Sequence, residues 1–252
     1  MHRRDFIGAI GLVYCAASLT YPRLSFADDD TDILDQLRSG GVSPLGKLLD
    51  PDQADVIHAN LIADSMPRSD PYAIMLALSM LKDRSVPKKG QKRGELFIAR
   101  WVTYGNPLLI RFFTDIGYKA TSDPGDCTSW CAASVSWCLK RAGINLPDNP
   151  ASSQSFLDYG EAVELSKARK GDLCVFTDIA KRGYGHVGFY NPDFKVTPDH
   201  VAILGGNQAS DGATNCAAGY GTSRITTVSQ PINGKRKTRT AGKYLAQVRR
   251  PA

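Results

Sequence analysis

Three short stretches of this 252-residue chain hold the residue types that acyl transfer requires. The first is Asp126-Cys127-Thr128-Ser129-Trp130-Cys131-Ala132-Ala133. If Ser129 caps a helix here, Cys131 falls in its first turn. Unpaired backbone N–H groups and the positive end of the helix dipole stabilise a thiolate there, and the thiolate is the form of cysteine that attacks a carbonyl. Ala132 and Ala133 keep that turn slim, so a substrate backbone could approach closely. The second stretch is Gly185-His186-Val187-Gly188-Phe189-Tyr190, a strand start in which His186 shares a face with Gly188 while Val187 and Phe189 take the other. A glycine two residues on leaves space above the sheet for the imidazole to meet a partner. The third is Leu204-Gly205-Gly206-Asn207-Gln208, at the end of the next strand. A base histidine needs an acceptor on its second ring nitrogen to hold its tautomer, and the amide of Asn207 or Gln208 would serve.

A plainer reading of the same cysteine exists. Cys131, Val135, Cys138 and Ala142 fall at i, i+4, i+7 and i+11, the spacing of a buried helical stripe in which cysteine is a small core hydrophobe. Spacing alone does not choose between stripe and nucleophile. His200, which precedes a strand, reads as a surface or edge residue and is the second choice of base. His58 reads as a half-exposed helix residue. A zinc site built from Cys127, Cys131 and a histidine lacks the usual ligand spacing, so no metal is expected, and thiol chemistry needs no organic cofactor.

The elements that must position these residues change character along the chain. Residues 31–84 read as short helices, one following Asp52 with the stripe Val56, Leu61, Ile62, and one started by Asp70-Pro71 with Ile74, Leu76, Leu78, Met80 and Leu81. Residues 85–94 are basic, contain Pro and Gly and lack periodicity, as a linker or long exposed loop does. Leu96–Tyr104 and Pro107–Ile116 read as helices, the second opened by Asn106-Pro107 and stopped by Gly117. A further helix after Ser129 closes at Lys140-Arg141-Ala142-Gly143. Asp172–Phe176, His186–Tyr190, Val201–Leu204, Arg224–Val228 and Tyr244–Val248 are β-rich runs between turn residues. Helices first and strands afterwards predict an α+β domain with an antiparallel sheet.

The N-terminus reads as an export signal. Arg3-Arg4-Asp5-Phe6-Ile7 opens a basic region of twin-arginine type, an apolar stretch follows to about Pro22, and Ser25-Phe26-Ala27 offers a small-x-small cleavage site. The apolar run falls short of the ~20 residues that span a bilayer. Cleavage near Ala27 lowers the formal net charge from +6 to +4, because three arginines and one aspartate are lost. That surplus suits a polyanionic partner without selecting one. Of the six cysteines five remain, Cys127, Cys131, Cys138, Cys174 and Cys216, and an odd count in an oxidising compartment leaves a thiol unpaired. The basic run Lys235, Arg236, Lys237, Arg239, Lys243 could grip an anionic polymer or be a solvated loop.

Taken in order, WCAA, GDLCVF, GHVGFY and LGGNQ resemble the papain-like cell-wall peptidase families CHAP and NlpC, over most of the chain from about Trp101 to Arg249-Arg250-Pro251. The resemblance implies a papain-like fold with the nucleophile helix packed on an antiparallel sheet. It also implies the roles: Cys131 as nucleophile, His186 as base and Asn207 as orienting residue. Asp126-Cys127-Thr128-Ser129 also resembles the DCSG signature of the NlpC branch, which would move the nucleophile to Cys127; the dozen residues from Cys131 to Gly143 match the family's helix and favour Cys131. Ser134 stands where the family usually has a bulky aromatic. The expected organisation is an export signal (1–27), a helical extension with basic linker (28–94) and a papain-like hydrolase domain (95–252). The expected protein is periplasmic or extracellular, monomeric, acts on peptidoglycan or a related anionic wall polymer, and engages neither nucleic acid nor, once cleaved, the membrane. Its rivals are a catalytically silent wall-binding module and a structural envelope protein.

Overall fold

Asp-Pro and Asn-Pro pairs start two helices as the sequence predicts. The computed structural model describes residues 49–50, 52–101, 104–118, 129–179, 183–208, 223–233 and 243–251. Its helices are α1 (Ala54–Ser65), α2 (Pro71–Ser79), α3 (Pro107–Asp115) and α4 (Cys131–Arg141). The Asp70 side chain accepts the Tyr72 N–H at 2.9 Å and the Asn106 side chain accepts the Leu108 N–H at 2.9 Å, while proline at the first helical position has no N–H to satisfy. Gly117 (φ +104°) and Gly143 (φ +78°) take the left-handed conformation that stops α3 and α4.

Two expectations fail for physical reasons. In α1 the buried face is Asp55, Ala59, Ile62 and Ala63, set by packing against α3, and Leu61 is 62% exposed. Gln53, not Asp52, precedes this helix. The second failure is the helix expected over Leu96–Tyr104. Arg100 N–H donates to Ser223 O at 2.9 Å and Ile225 N–H to Ile98 O at 3.0 Å, so this backbone is committed to a neighbouring strand. The buried Asn106 amide then donates to Phe97 O (2.7 Å) and Ala99 O (2.8 Å), which removes further acceptors from any helix. Residues 85–94 form a loop whose ends meet: Arg84 and Leu96 form an antiparallel bridge, and Ser85 N–H donates to Glu95 O at 2.9 Å.

The strands are β1 (Glu161–Val163), β2 (Leu173–Asp178), β3 (Gly185–Tyr190), β4 (His200–Gln208), β5 (Arg224–Pro231) and β6 (Lys243–Arg250). They form one antiparallel sheet in the order β1-β6-β2-β3-β4-β5. Only the three-residue β1 was missing from the sequence reading. Alternation sorts the side chains. Leu173, Val175, Val187, Phe189 and Leu204 join the main apolar core with α1–α4, and Cys174, Phe176, Val201, Ile203, Val228 and Val248 form a second cluster on the other face. The fold is α+β, with N-terminal helices whose Ile62, Ile74, Met75 and Leu78 share the main core with the sheet. The segment 1–27, Cys127, Cys216 and the basic residues 235–239 lie outside the described residues.

Candidate active site

Cys131 is the first residue of α4, preceded by Trp130, whose side chain makes no capping hydrogen bond. Ser129 is therefore not the cap; the expected position of Cys131 in the first turn stands. Every residue from Cys131 to Leu139 is buried, so α4 is a central helix rather than one with a single apolar stripe. It packs on β3 and β4. Gly206 makes the approach possible, since a Cβ there would lie 2.3 Å from the Trp130 ring and 2.5 Å from Ser134 Oγ. Ser134, small where an aromatic was expected, turns its hydroxyl back to donate to Cys131 O at 2.8 Å.

The cysteines divide by surroundings. Cys131, Cys138 and Cys174 are buried and outside any disulfide. Cys138 belongs to the main core and Cys174 to the second cluster, whereas Cys131 belongs to neither, although its neighbours Trp130 and Ala132 do. Burial pushes the Cys138 thiol well above its ordinary pKa, with Arg141 opposing. It does the same to Cys174, where the Asp172 carboxylate adds to the rise. Both are inert core thiols at neutral pH. Among the described cysteines, Cys131 alone occupies a helix N-terminus.

His186 is 3% exposed on β3, opposite Phe176. Its Nε2 lies 3.0 Å from Nε2 of Gln208, itself 3% exposed. The space left by glycine is thus taken up by an amide: Cβ atoms on Gly188 and Gly205 would stand 3.3 and 2.7 Å from Gln208 Nε2. Asn207, also buried, has φ +56°. The contact that reaches the imidazole therefore includes the second of the two amides the sequence offered. His200 sits at the opposite end of β4, on the surface, with Nδ1 2.8 Å from Asp199 Oδ1 and 2.9 Å from Thr197 Oγ1. Seven further residues of extended strand separate it from Gln208, a distance on the order of 25 Å, so it cannot share the base role. His58 is on α1, half-exposed as expected, 3.1 Å from Asp83.

Gln154 is a site-supporting residue that sequence reasoning missed. Its Nε2 donates to Phe176 O at 2.9 Å and its Oε1 accepts from Thr177 Oγ1 at 2.8 Å. A Cβ on Gly185 would fall 2.0 Å from that amide nitrogen, so Gly185 admits Gln154 and fixes the chain one residue before His186. A lone glutamine after two serines reads as a turn, and nothing in its type distinguishes it. Among the described residues no cluster of His, Cys, Asp and Glu could hold a metal ion.

Comparison with known proteins adds a family. Two solved structures are similar to this chain. One is the P60 domain of an antigen from M. avium paratuberculosis, with 16% identity and a TM-score of 0.28 over 79% of this chain and 99% of that one. The other is the peptidoglycan hydrolase RipB from Mycobacterium tuberculosis, with 16% identity and a TM-score of 0.30 over 77% of this chain and 66% of that one. Residues 118–214, the segment that holds α4, β3, β4 and with them Cys131, His186, Asn207 and Gln208, match the NlpC/P60 family.

Proposed function

We propose that this protein is a cysteine hydrolase that cuts amide bonds of peptidoglycan. The observation that carries the reading is Cys131 at the start of a buried helix packed on the strands of His186 and its amide partner, inside the segment that matches NlpC/P60. That family consists of cysteine peptidases acting on peptidoglycan. In the proposed reaction His186 takes the proton of the Cys131 thiol, and the thiolate attacks the amide carbonyl. Backbone N–H groups at the start of α4 hold the oxyanion of the tetrahedral intermediate. The imidazolium then protonates the departing amine and leaves a thioester, which water opens with His186 as base. The Asn207–Gln208 pair at the end of β4 supplies the orienting amide. The bond cut is within the stem peptide (endopeptidase) or between sugar and peptide (amidase).

The proposed setting is the periplasm or cell exterior, reached through the twin-arginine-type segment 1–27 and its cleavage near Ala27. No helix among the described residues is long and apolar enough to cross a membrane. Residues 28–94 act as a helical extension to the hydrolase domain 95–252.

Digestion of purified peptidoglycan by the mature protein beside Cys131→Ala, with mass spectrometry of the products, tests this reading. Fragment release should fall by at least about 10³-fold in the variant, and the fragment masses name the bond. A wild type that releases nothing while its thiol is reduced would transfer the protein to a wall-binding role.

A further inference from the structure

The stretch whose composition suggests a basic linker is pinned to the body of the molecule. Between Lys82 and Glu95 six cations stand against two carboxylates. Like charges this close repel, and such a run stays extended unless other contacts hold it. Here polar contacts hold it from base to tip. The Arg84–Leu96 bridge closes the base, and Ser85 exchanges two hydrogen bonds with the Glu95 backbone, each 2.9 Å. Arg84 donates to Gly94 O at 2.8 Å, and a Cβ on Gly94 would lie 1.8 Å from Ser85 O, so only glycine fits there. Val86 N–H donates to the buried Asp55 carboxylate at 2.9 Å. At the tip Gln91 N–H returns to Lys88 O at 2.9 Å around Gly90, whose φ is +90°. The Lys88 ammonium turns inward over the Tyr104 ring, 3.1 Å from its centroid.

None of these contacts uses Lys82, Lys89, Lys92 or Arg93. All four are exposed, and among the described residues they make no ion pair. Arg111, Lys167, Lys170 and Arg250, by contrast, each meet a carboxylate. Asp83, next to Lys82, is turned to His58 at 3.1 Å. The loop thus fixes the backbone that carries four cations and neutralises none of them.

Its place in the fold matters as much as its charge. Ala99 bridges Arg224, and Arg224 pairs with Gln208 at the end of β4. The segment leaving the loop therefore runs two strand spacings, about 10 Å, from the strand end that carries the proposed site. A polymer lying along the loop is within reach of that site.

We propose that Lys82, Lys89, Lys92 and Arg93 form an exosite that holds the peptidoglycan strand by its carboxylates while another part of the same strand enters the active site. The inference rests on the peptidoglycan reading above and adds the place where the polymer is held. Point charges on flexible stems fix no geometry for a single small anion and suit a repeating one. A loop that docks on lipid presents Trp, Phe or Leu for insertion, and residues 82–95 contain none. Single-stranded nucleic acid needs exposed aromatic faces for stacking, and the loop's aromatic neighbour Tyr104 is covered by Lys88. Because the backbone is already ordered, binding need not order it.

The test is co-sedimentation of the full chain carrying Cys131→Ala, which holds substrate without cutting it, with purified peptidoglycan. Beside it runs the same protein with Lys82, Lys89, Lys92 and Arg93 each changed to Gln. Retention at low salt should fall at least about 10-fold in the neutralised protein, and added salt should weaken only the protein with the native loop. Peptidoglycan whose carboxylates have been converted to amides should lose the difference between the two. Equal retention of both proteins, a difference that survives amidation, or stronger loop-dependent binding to phosphatidylglycerol vesicles than to peptidoglycan would each overturn the proposal. Should the fourfold variant fail to fold, the pair Lys89→Gln and Lys92→Gln decides by the same readout. Loop-dependent retention beside a wild type that cuts nothing would sink the hydrolase reading and keep the exosite. Cutting by a wild type with loop-independent retention would do the reverse.

Discussion

The helix starts of this protein divide into two kinds. At α2 and α3 an Asp or Asn side chain closes the N-terminus onto the backbone and a proline follows, so the polar end is satisfied locally. At α4 neither device is present: Trp130 makes no side-chain cap and Cys131 stands where proline stands in the others. Helix α1 also lacks a side-chain cap, but its start at Asp52 and Gln53 is open to water. Among α1–α4 only α4 combines a buried start with no side-chain cap, and that start carries the Cys131 thiol. The contrast teaches that capping closes helix ends with no proposed chemical task, and that in α1–α4 the uncapped start that is also buried is the one proposed to carry the nucleophile.

The contrast can be broken at either kind of end. The largest effect is expected for Gly206→Ala, whose methyl must displace Trp130 and the start of α4 from β4. On the proposed mechanism a misplaced Cys131 should cost about 10²-fold in kcat/KM on peptidoglycan, measured beside a thermal melt to show that the fold persists. Asn106→Ala removes a cap and two hydrogen bonds, a buried one to Phe97 and a part-buried one to Ala99. It should destabilise by about 2–4 kcal/mol in urea unfolding while the folded fraction keeps its specific activity. Asp70→Ala removes a cap alone and should cost about 1 kcal/mol. If Asn106→Ala or Asp70→Ala abolished activity in folded protein, the division between structural and chemical helix ends would not hold.

The smallest effect belongs to the far end of β4. Hydrogen bonds from Thr197 and then His200 hold the Asp199 carboxyl down at about 2. A lowered carboxylate stabilises the fold above its ordinary range and loses that contribution as pH falls through about 2. Thr197→Val should raise the Asp199 titration, read by carbonyl NMR, toward the ordinary 3.8, with hydrolysis unchanged.

Much of this was legible in residue types. Asp70-Pro71 and Asn106-Pro107 mark helix starts because capping is local, and Gly117 and Gly143 mark stops because their backbone conformation suits little else. Cys131, His186 and the Asn207–Gln208 pair stand out by residue type and by their places at a helix start, a strand start and a strand end. What could not be read depends on partners distant in sequence. Residues 98–100 resemble a helix until residues 223–225 take their hydrogen bonds. Leu61 looks like core until α3 defines which face of α1 is covered. The extra residue in β4 between Gly205 and Gln208 is likewise invisible in composition, and the pairing with β5 reveals it.

The burial of α4 has a consequence for how the molecule breathes. With Ser134 through Leu139 enclosed between α2, α3 and the sheet, the hydrogen-bonded amides of this stretch have no local route to solvent. Hydrogen exchange along this helix should therefore proceed only through global opening, with the same denaturant dependence as whole-molecule unfolding. The helix that carries the proposed nucleophile would then be lost only with the fold itself.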